Sequence, residues 1–237
     1  MDSMTPNSEN LDDPMLGRSV LVAGATGGLG SAIALNLAQR GAILTLVSRR
    51  HERLAALGVP GHRLALDLRD PHACHAAVSA AVEHAGRLDV VVNAIGVVAF
   101  GPIEELSVDA MEELFMTNTF VSIVLTKAGL GVLNEGGVIV NISGVIAEQN
   151  LPGMAAYGAS KAAVRSFGEA VAREARRRKI RVIDARPPHT ETGLADRPIE
   201  GRAPKMPTGL DPAAVAATIC DAIAGTATDL PSSAFTV

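Results

Sequence analysis

With 237 residues, 48% of them hydrophobic and 19% charged, the chain carries apolar material for one large core and suits a single domain. A net charge of −4 and a pI near 5.9 argue against a nucleic-acid or anionic-membrane surface. Two distant cysteines, Cys74 and Cys220, and six scattered histidines match no ligand spacing, so no metal site is expected.

Aromatics make up only 3%, so Ala, Val, Leu and Ile must build the core, as in a buried parallel sheet under Ala-rich helices. Met1 to Asp13 are polar and lack the blocks of a signal peptide, and no stretch reaches the roughly 18–20 apolar residues of a membrane span. Residues 1–17 are expected as a flexible tail, and the protein as cytoplasmic with no membrane partner. From Arg18 onward the domain, 18–237, alternates short apolar runs with helix-length stretches. Ser19–Ala23 reads as a strand, followed by a Gly-rich turn, a helix over Ser31–Arg40 and a second strand at Ala42–Val47. A short helix near Glu52–Leu57 precedes a third strand, His62–Leu66. Asp70-Pro71 starts a helix to about Ala85: Asp caps free amides and Pro fits the first turn. Leu88–Asn93 is strand four, Ser107 opens a long helix to about Leu133, and Val138–Ile142 is strand five. A helix over Ala155–Arg178 leads to strand six, Ile180–Ala185; Asp211-Pro212 starts the last helix, and Ser233–Val237 is a candidate edge strand. Strands joined by helical crossovers predict an α/β fold, a doubly wound parallel sheet of about seven strands with helices on both faces. Ligands then bind beside the carboxyl ends of the strands, where strand order reverses.

Two motifs carry the chemistry. Gly24-Ala25-Thr26-Gly27-Gly28-Leu29-Gly30 joins the first strand to its helix, where glycines let the backbone approach a pyrophosphate and the helix N-terminus supplies amides. Tyr157, the one tyrosine of the chain, stands four residues before Lys161, which puts phenol and ammonium on one helix face.

With these motifs in this order the sequence resembles the short-chain dehydrogenase/reductase family, from Arg18 to the end. The family's TGxxxGxG appears with Ala23 for Thr and with Gly24, Gly28 and Gly30 in register. Gly24, Gly27 and Gly30 also fit the TGxxGxxG of the longer epimerase/dehydratase branch, but only Gly193 to about Gly209 is free for a substrate region, and length favours the short branch. The resemblance implies one Rossmann domain and a hydride transfer between a nicotinamide and a carbonyl or alcohol carbon of a small molecule. It further implies that Asp67 and Leu68 flank the adenine and that Asn93-Ala94-Ile95-Gly96 stands for NNAG. Asn118 matches the catalytic Asn that anchors a relaying water, and Pro187 and Thr192 meet the carboxamide. Tyr157 is implied as the proton donor, with Lys161 holding the ribose and drawing the phenol's pKa down. A homodimer or homotetramer is the expected assembly.

Strand two ends Ser48-Arg49-Arg50 without the carboxylate that holds the ribose hydroxyls of NAD, so NADP(H) is the expected cofactor, its 2′-phosphate paired by arginine. One departure stands out. The family's Ser, thirteen residues before the Tyr, is Gly144, and Ser143 is one place early, where extended backbone would aim it to the opposite face. Ser143 remains a catalytic candidate, through a shifted loop, beside the alternative of a backbone amide or another group. An NADP(H)-binding protein with little turnover is the competing reading. The C-terminus lacks the VNGG-like strand of relatives that reduce 3-oxoacyl thioesters, which ranks that reaction lower.

Overall fold

The computed structural model describes residues 12–235. Its strands are β1 (Ser19–Ala23), β2 (Ile43–Ser48), β3 (His62–Ala65), β4 (Val90–Asn93), β5 (Val138–Ile142) and β6 (Arg181–Ala185). They pair in parallel in the order β3-β2-β1-β4-β5-β6, so strand order reverses between β1 and β4. Helices α1 (Gly28–Gln39), α2 (His51–Ala55), α3 (Pro71–Ala85), α4 (Val108–Leu114), α5 (Val121–Val132) and α6 (Ala155–Ala175) form the crossovers, and α7 (Pro212–Ala224) follows β6 and packs beside α1.

Alternation along the strands divides the core in two. Val20, Val22, Val90, Val92 and Val138 pack against α1 and α7. Their neighbours Leu21, Val91, Ile139 and Val182 pack against α3, α5 and α6. Strands buried on both faces read as continuous apolar runs, and each fully buried Val, Leu or Ile stabilises the fold by about 1.5–3 kcal/mol. Helix starts follow local chemistry: Asp70 accepts from the His72 amide, Ser107 from that of Ala110, and Asp211 from that of Ala213.

Two expectations are corrected. Met15 is fully buried in the first core and Asp13 pairs with Arg40 at 2.9 Å, so packing begins ahead of Arg18; residues 1–11 of the expected tail lie outside the described residues. The candidate edge strand at Ser233–Val237 is instead a short 3-10 turn, Ser232–Ala234, with Thr236 and Val237 outside the described residues. Among the described residues of this segment, Leu230 alone bridges to Ala185; the chain turns into the 3-10 helix at Ser232, where the next ladder amide would stand. The long helix expected after Ser107 is present as one helical run, Val108–Val132, in which a widened π turn, Phe115–Phe120, joins α4 to α5 and holds Asn118.

The segment after β6 folds back over the strand ends and is fastened at two places. Ala99 bridges to Glu200, with Ile199 N donating to Val98 O at 2.8 Å and Phe100 N to Glu200 O at 3.0 Å. Thr190 bridges to Leu210. Gly201, at φ +76°, makes the first fastening feasible, since a Cβ there would lie 1.6 Å from Phe100 O.

Candidate active site

A cleft of about 380 Å³ opens at the carboxyl ends of the strands, over the β1/β4 reversal. There the two loops touch: a Cβ on Gly24, at φ +80°, would lie 2.8 Å from Ala94 O. Ala94, Ile95 and Gly96 line the cleft with Gly24, Thr26, Gly27, Gly28 and Leu29. Unlike α3, α4 and α7, α1 starts without a side-chain cap, at Gly27, so its first amides are left for an anion. Thr192 closes over this end; a Cβ on Gly28 would lie 2.6 Å from Thr192 Cβ.

Tyr157 and Lys161 occupy consecutive turns of α6 and both line the cleft. The Tyr157 ring packs with Ala99, Leu114 and Ala156. Burial pushes its phenol up to about 12, which corrects the expected downward pull by Lys161. Lys161 does not counter this because it is itself drawn into the wall, 5% exposed, where its ammonium donates to Ile142 O at 2.8 Å. Burial brings Lys161 down to about 8, opposed by the negative charge of Asp184. An ammonium has three donors. With one on Ile142 O, the donor set beside Gly96 suits the hydroxyls of a ribose.

Other expected site residues stand behind the lining. Asn118 is sealed from solvent: its Oδ1 accepts from Val97 N at 2.9 Å, and its Nδ2 donates to Val97 O and Ser160 Oγ. Its amide therefore clamps the loop after β4 to α6. Asn93 bonds Ser122 Oγ at 2.8 Å and accepts from Ile95 N, which shapes the Ala94-Ile95-Gly96 turn from below. Gly30 packs under the glycine turn, where a Cβ would lie 2.2 Å from Gly24 O. Pro187 and Thr192 do line the cleft.

At the family's Ser position, Gly144 has φ +86° and ψ 164°, a conformation essentially confined to glycine. The amides of Ser143 and Gly144 both donate to Ala185 O, at 3.0 and 3.2 Å, so two residues of one strand meet one of the next, as in a bulge. Val145 N is committed to Pro187 O. Ser143 is 1% exposed; its Oγ and Asp184 Oδ1 lack hydrogen bonds of ordinary geometry, and burial raises the Asp184 carboxyl above its ordinary value, opposed by the facing Ser143 hydroxyl and by Arg186. Ser143 and Gly144 both line the cleft, with the Ser143 hydroxyl buried and facing Asp184. Restoring a serine is expected to cost stability: Gly144→Ser should lower unfolding free energy by about 1–3 kcal/mol in urea titrations, through backbone strain alone.

At the far end of the cleft, Ser48 Oγ shares a 2.6 Å hydrogen bond with Thr26 Oγ1, and the exposed Arg49 and Arg50 line the wall. Arg53, one turn on along α2, joins them and was not singled out in the sequence, although its i+3 spacing from Arg50 signals a shared face. Asp67 and Leu68 line the same end. Arg69 grips the Asp67 carboxylate at 2.6 Å and holds it below the usual carboxylate range, while its other nitrogen reaches Glu113 at 2.9 Å. Around Tyr157 the lining turns apolar, with Phe100, Ile146, Leu151, Met154, Leu194 and Met206. These residues come from three separate loops and carried no sequence signal.

Residues 18–202 match the family described as short chain dehydrogenase. The chain is 34% identical over 184 residues to an uncharacterized oxidoreductase of Methylorubrum extorquens, covering 74% of each. It is 32% identical over 205 residues to the 3-ketodihydrosphingosine reductase of Mus musculus, covering 78% of this chain but 62% of that one. A short chain dehydrogenase from Burkholderia cenocepacia solved in complex with NADP superposes with a TM-score of 0.81 at 27% identity, over 94% of this chain and 100% of that one. A dehydrogenase/reductase from Sinorhizobium meliloti gives 0.82 at 28% identity, over 93% and 96%.

Proposed function

We propose that this chain, which belongs to the short-chain dehydrogenase/reductase family, is an NADP(H)-dependent oxidoreductase acting on a carbonyl or alcohol carbon, with Tyr157 as proton donor or acceptor. The observation that carries the reading is the placement of Tyr157 and Lys161 on one face of α6, inside a cleft that begins at the uncapped glycine turn. The bound nicotinamide supplies or accepts the hydride. The protein's own groups do the rest. The glycine turn and the first amides of α1 receive the pyrophosphate; Arg49, Arg50 and Arg53 face the adenosine end, where no carboxylate follows β2 to repel a 2′-phosphate. Lys161 donates to the nicotinamide-side ribose. Tyr157 gives a proton to the carbonyl oxygen as the carbon is reduced. Burial holds the Tyr157 phenol protonated at neutral pH, the form that can donate.

The apolar lining beside Tyr157 suits a hydrophobic ketone or aldehyde, in keeping with relatives named for ketodihydrosphingosine, hydroxynaphthalene and 3beta-hydroxysteroid. Phe115, Met116 and Phe120 are exposed along the π turn and support self-association as a homodimer or homotetramer. Binding titrations test the cofactor assignment. NADPH is expected to bind more tightly than NADH, and Arg49→Ala to narrow the gap by about tenfold. Equal affinities in the unchanged protein would refute it. Gly144 favours a second reading, a cofactor-binding protein with weak turnover, because the Ser143 hydroxyl is buried facing Asp184 and the amides of Ser143, Gly144 and Val145 are already committed. NADPH consumption over a panel of apolar ketones and aldehydes separates the two.

A further inference from the structure

Asp184 is a carboxylate one residue from the end of β6, 5% exposed. Strand alternation puts its side chain on the face of Val182, which packs with the α3/α5/α6 core, and Ser143 continues the parity of Ile139 and Asn141 on that same face. Helix α6 crosses there. Its buried positions Lys161, Val164 and Gly168 form one stripe, and a Cβ on Gly168 would lie 3.9 Å from Asp184 Cβ. Lys161 reaches from this stripe to Ile142 O, and Ile142 pairs with Ala185, the neighbour of Asp184. An ammonium and a carboxylate are therefore embedded in one layer between α6 and the ends of β5 and β6.

The other charges around Asp184 do not neutralise it. Arg186 Nη1 lies 2.8 Å from Asp184 Oδ2, but the same guanidinium also holds Asp229 at 2.6 Å and Glu148 at 2.5 Å. One cation against three anions leaves a net charge of −2 (1 − 3). Arg165 of α6 faces Asp229 on the outer side, and Asp229 and Arg186 act on Asp184 in opposite senses. Asp184 Oδ1, buried and without a hydrogen bond of ordinary geometry, is the unspent part of the cluster.

We propose that Asp184 is a positioning residue for the reaction: its buried carboxylate, behind the Ser143–Gly144 bend, holds Lys161 as an ammonium beside Tyr157. This rests on the reading of Lys161 as the residue that serves cofactor and phenol. The arrangement also accounts for a carboxylate on a strand of otherwise apolar lining, and for a Ser143 hydroxyl turned inward to it.

The test titrates Lys161 in the full chain without cofactor, by NMR of Cε- and Nζ-labelled lysine. The sequence has four lysines, so Lys→Arg changes at Lys127, Lys179 and Lys205 assign the signals. Asp184→Asn is expected to move the Lys161 midpoint about one pH unit lower. Asp229→Asn, on the far side of Arg186, should leave it in place, and the alkaline limb of kcat/KM should follow the same pattern. An unmoved midpoint in Asp184→Asn, or an equal displacement in Asp229→Asn, overturns the proposal. If Asp184→Asn does not fold, Asp184→Ser carries the same expectation, since Arg186 keeps Asp229 and Glu148. Turnover absent in the unchanged protein, with the midpoint displaced as expected, would sink the enzyme reading and leave the electrostatic one standing.

Discussion

Replacing Tyr157 by Phe is expected to cut turnover between about a hundredfold and ten-thousandfold while leaving NADPH affinity within a factor of about two. The phenyl ring retains the packing against Ala99, Leu114 and Ala156, so the fold and the cleft wall survive and only the proton is withdrawn. Loss of kcat with unchanged cofactor binding identifies a group that works in the transition state. Unchanged kcat would mean that water or another side chain delivers the proton, and the proposed role of α6 would fail with it.

Lys161→Met is expected to abolish turnover and at the same time strengthen the fold by about 3 kcal/mol at pH 7. The ammonium falls from 10.5 to about 8 because burial penalises its charged form. A depressed lysine releases its proton earlier in the folded than in the unfolded chain. The penalty is therefore complete below about pH 8 and is relieved as pH rises towards 10.5. Urea unfolding at pH 7 and pH 10 reads this directly: the difference between wild type and Lys161→Met should shrink at the higher pH. A variant no more stable than wild type at pH 7 would show that the ammonium is not held at a cost. A residue that weakens the fold while serving the site is the pattern expected where chemistry is selected over stability.

The sheet was legible because its signals are local. Apolar runs such as Val138–Ile142 are buried on both sides, and Asp70, Ser107 and Asp211 start helices by capping amides within three residues. Glycine spacing and the four-residue step from Tyr157 to Lys161 likewise survive in one dimension, which is why the cleft's two ends could be placed. What escaped depends on contacts between distant segments. Met15 reads as tail until α1 and its neighbours close over it. Asn118 sits in the right turn, but only Val97 and Ser160, 21 and 42 residues away, reveal that its amide is fully used. The phenol's upward displacement depends on burial, which a charge count cannot register. Arg186 sits in an apolar-looking strand end, and its three carboxylates come from three separate stretches of chain. Gly144 is the intermediate case: spacing shows that a serine is missing, and its backbone angles show why a serine does not fit there.

The Thr190–Leu210 bridge closes residues 193–209 at their base and the Ala99–Glu200 bridge pins them near the middle, which makes them a replaceable hood. Leu194, Ala195 and Met206 of this segment line the cleft, while Tyr157 and Lys161 belong to a helix it does not interrupt. Selection can thus retailor which molecule enters by altering a few side chains of the hood, while the wall that carries Tyr157 and Lys161 is inherited untouched.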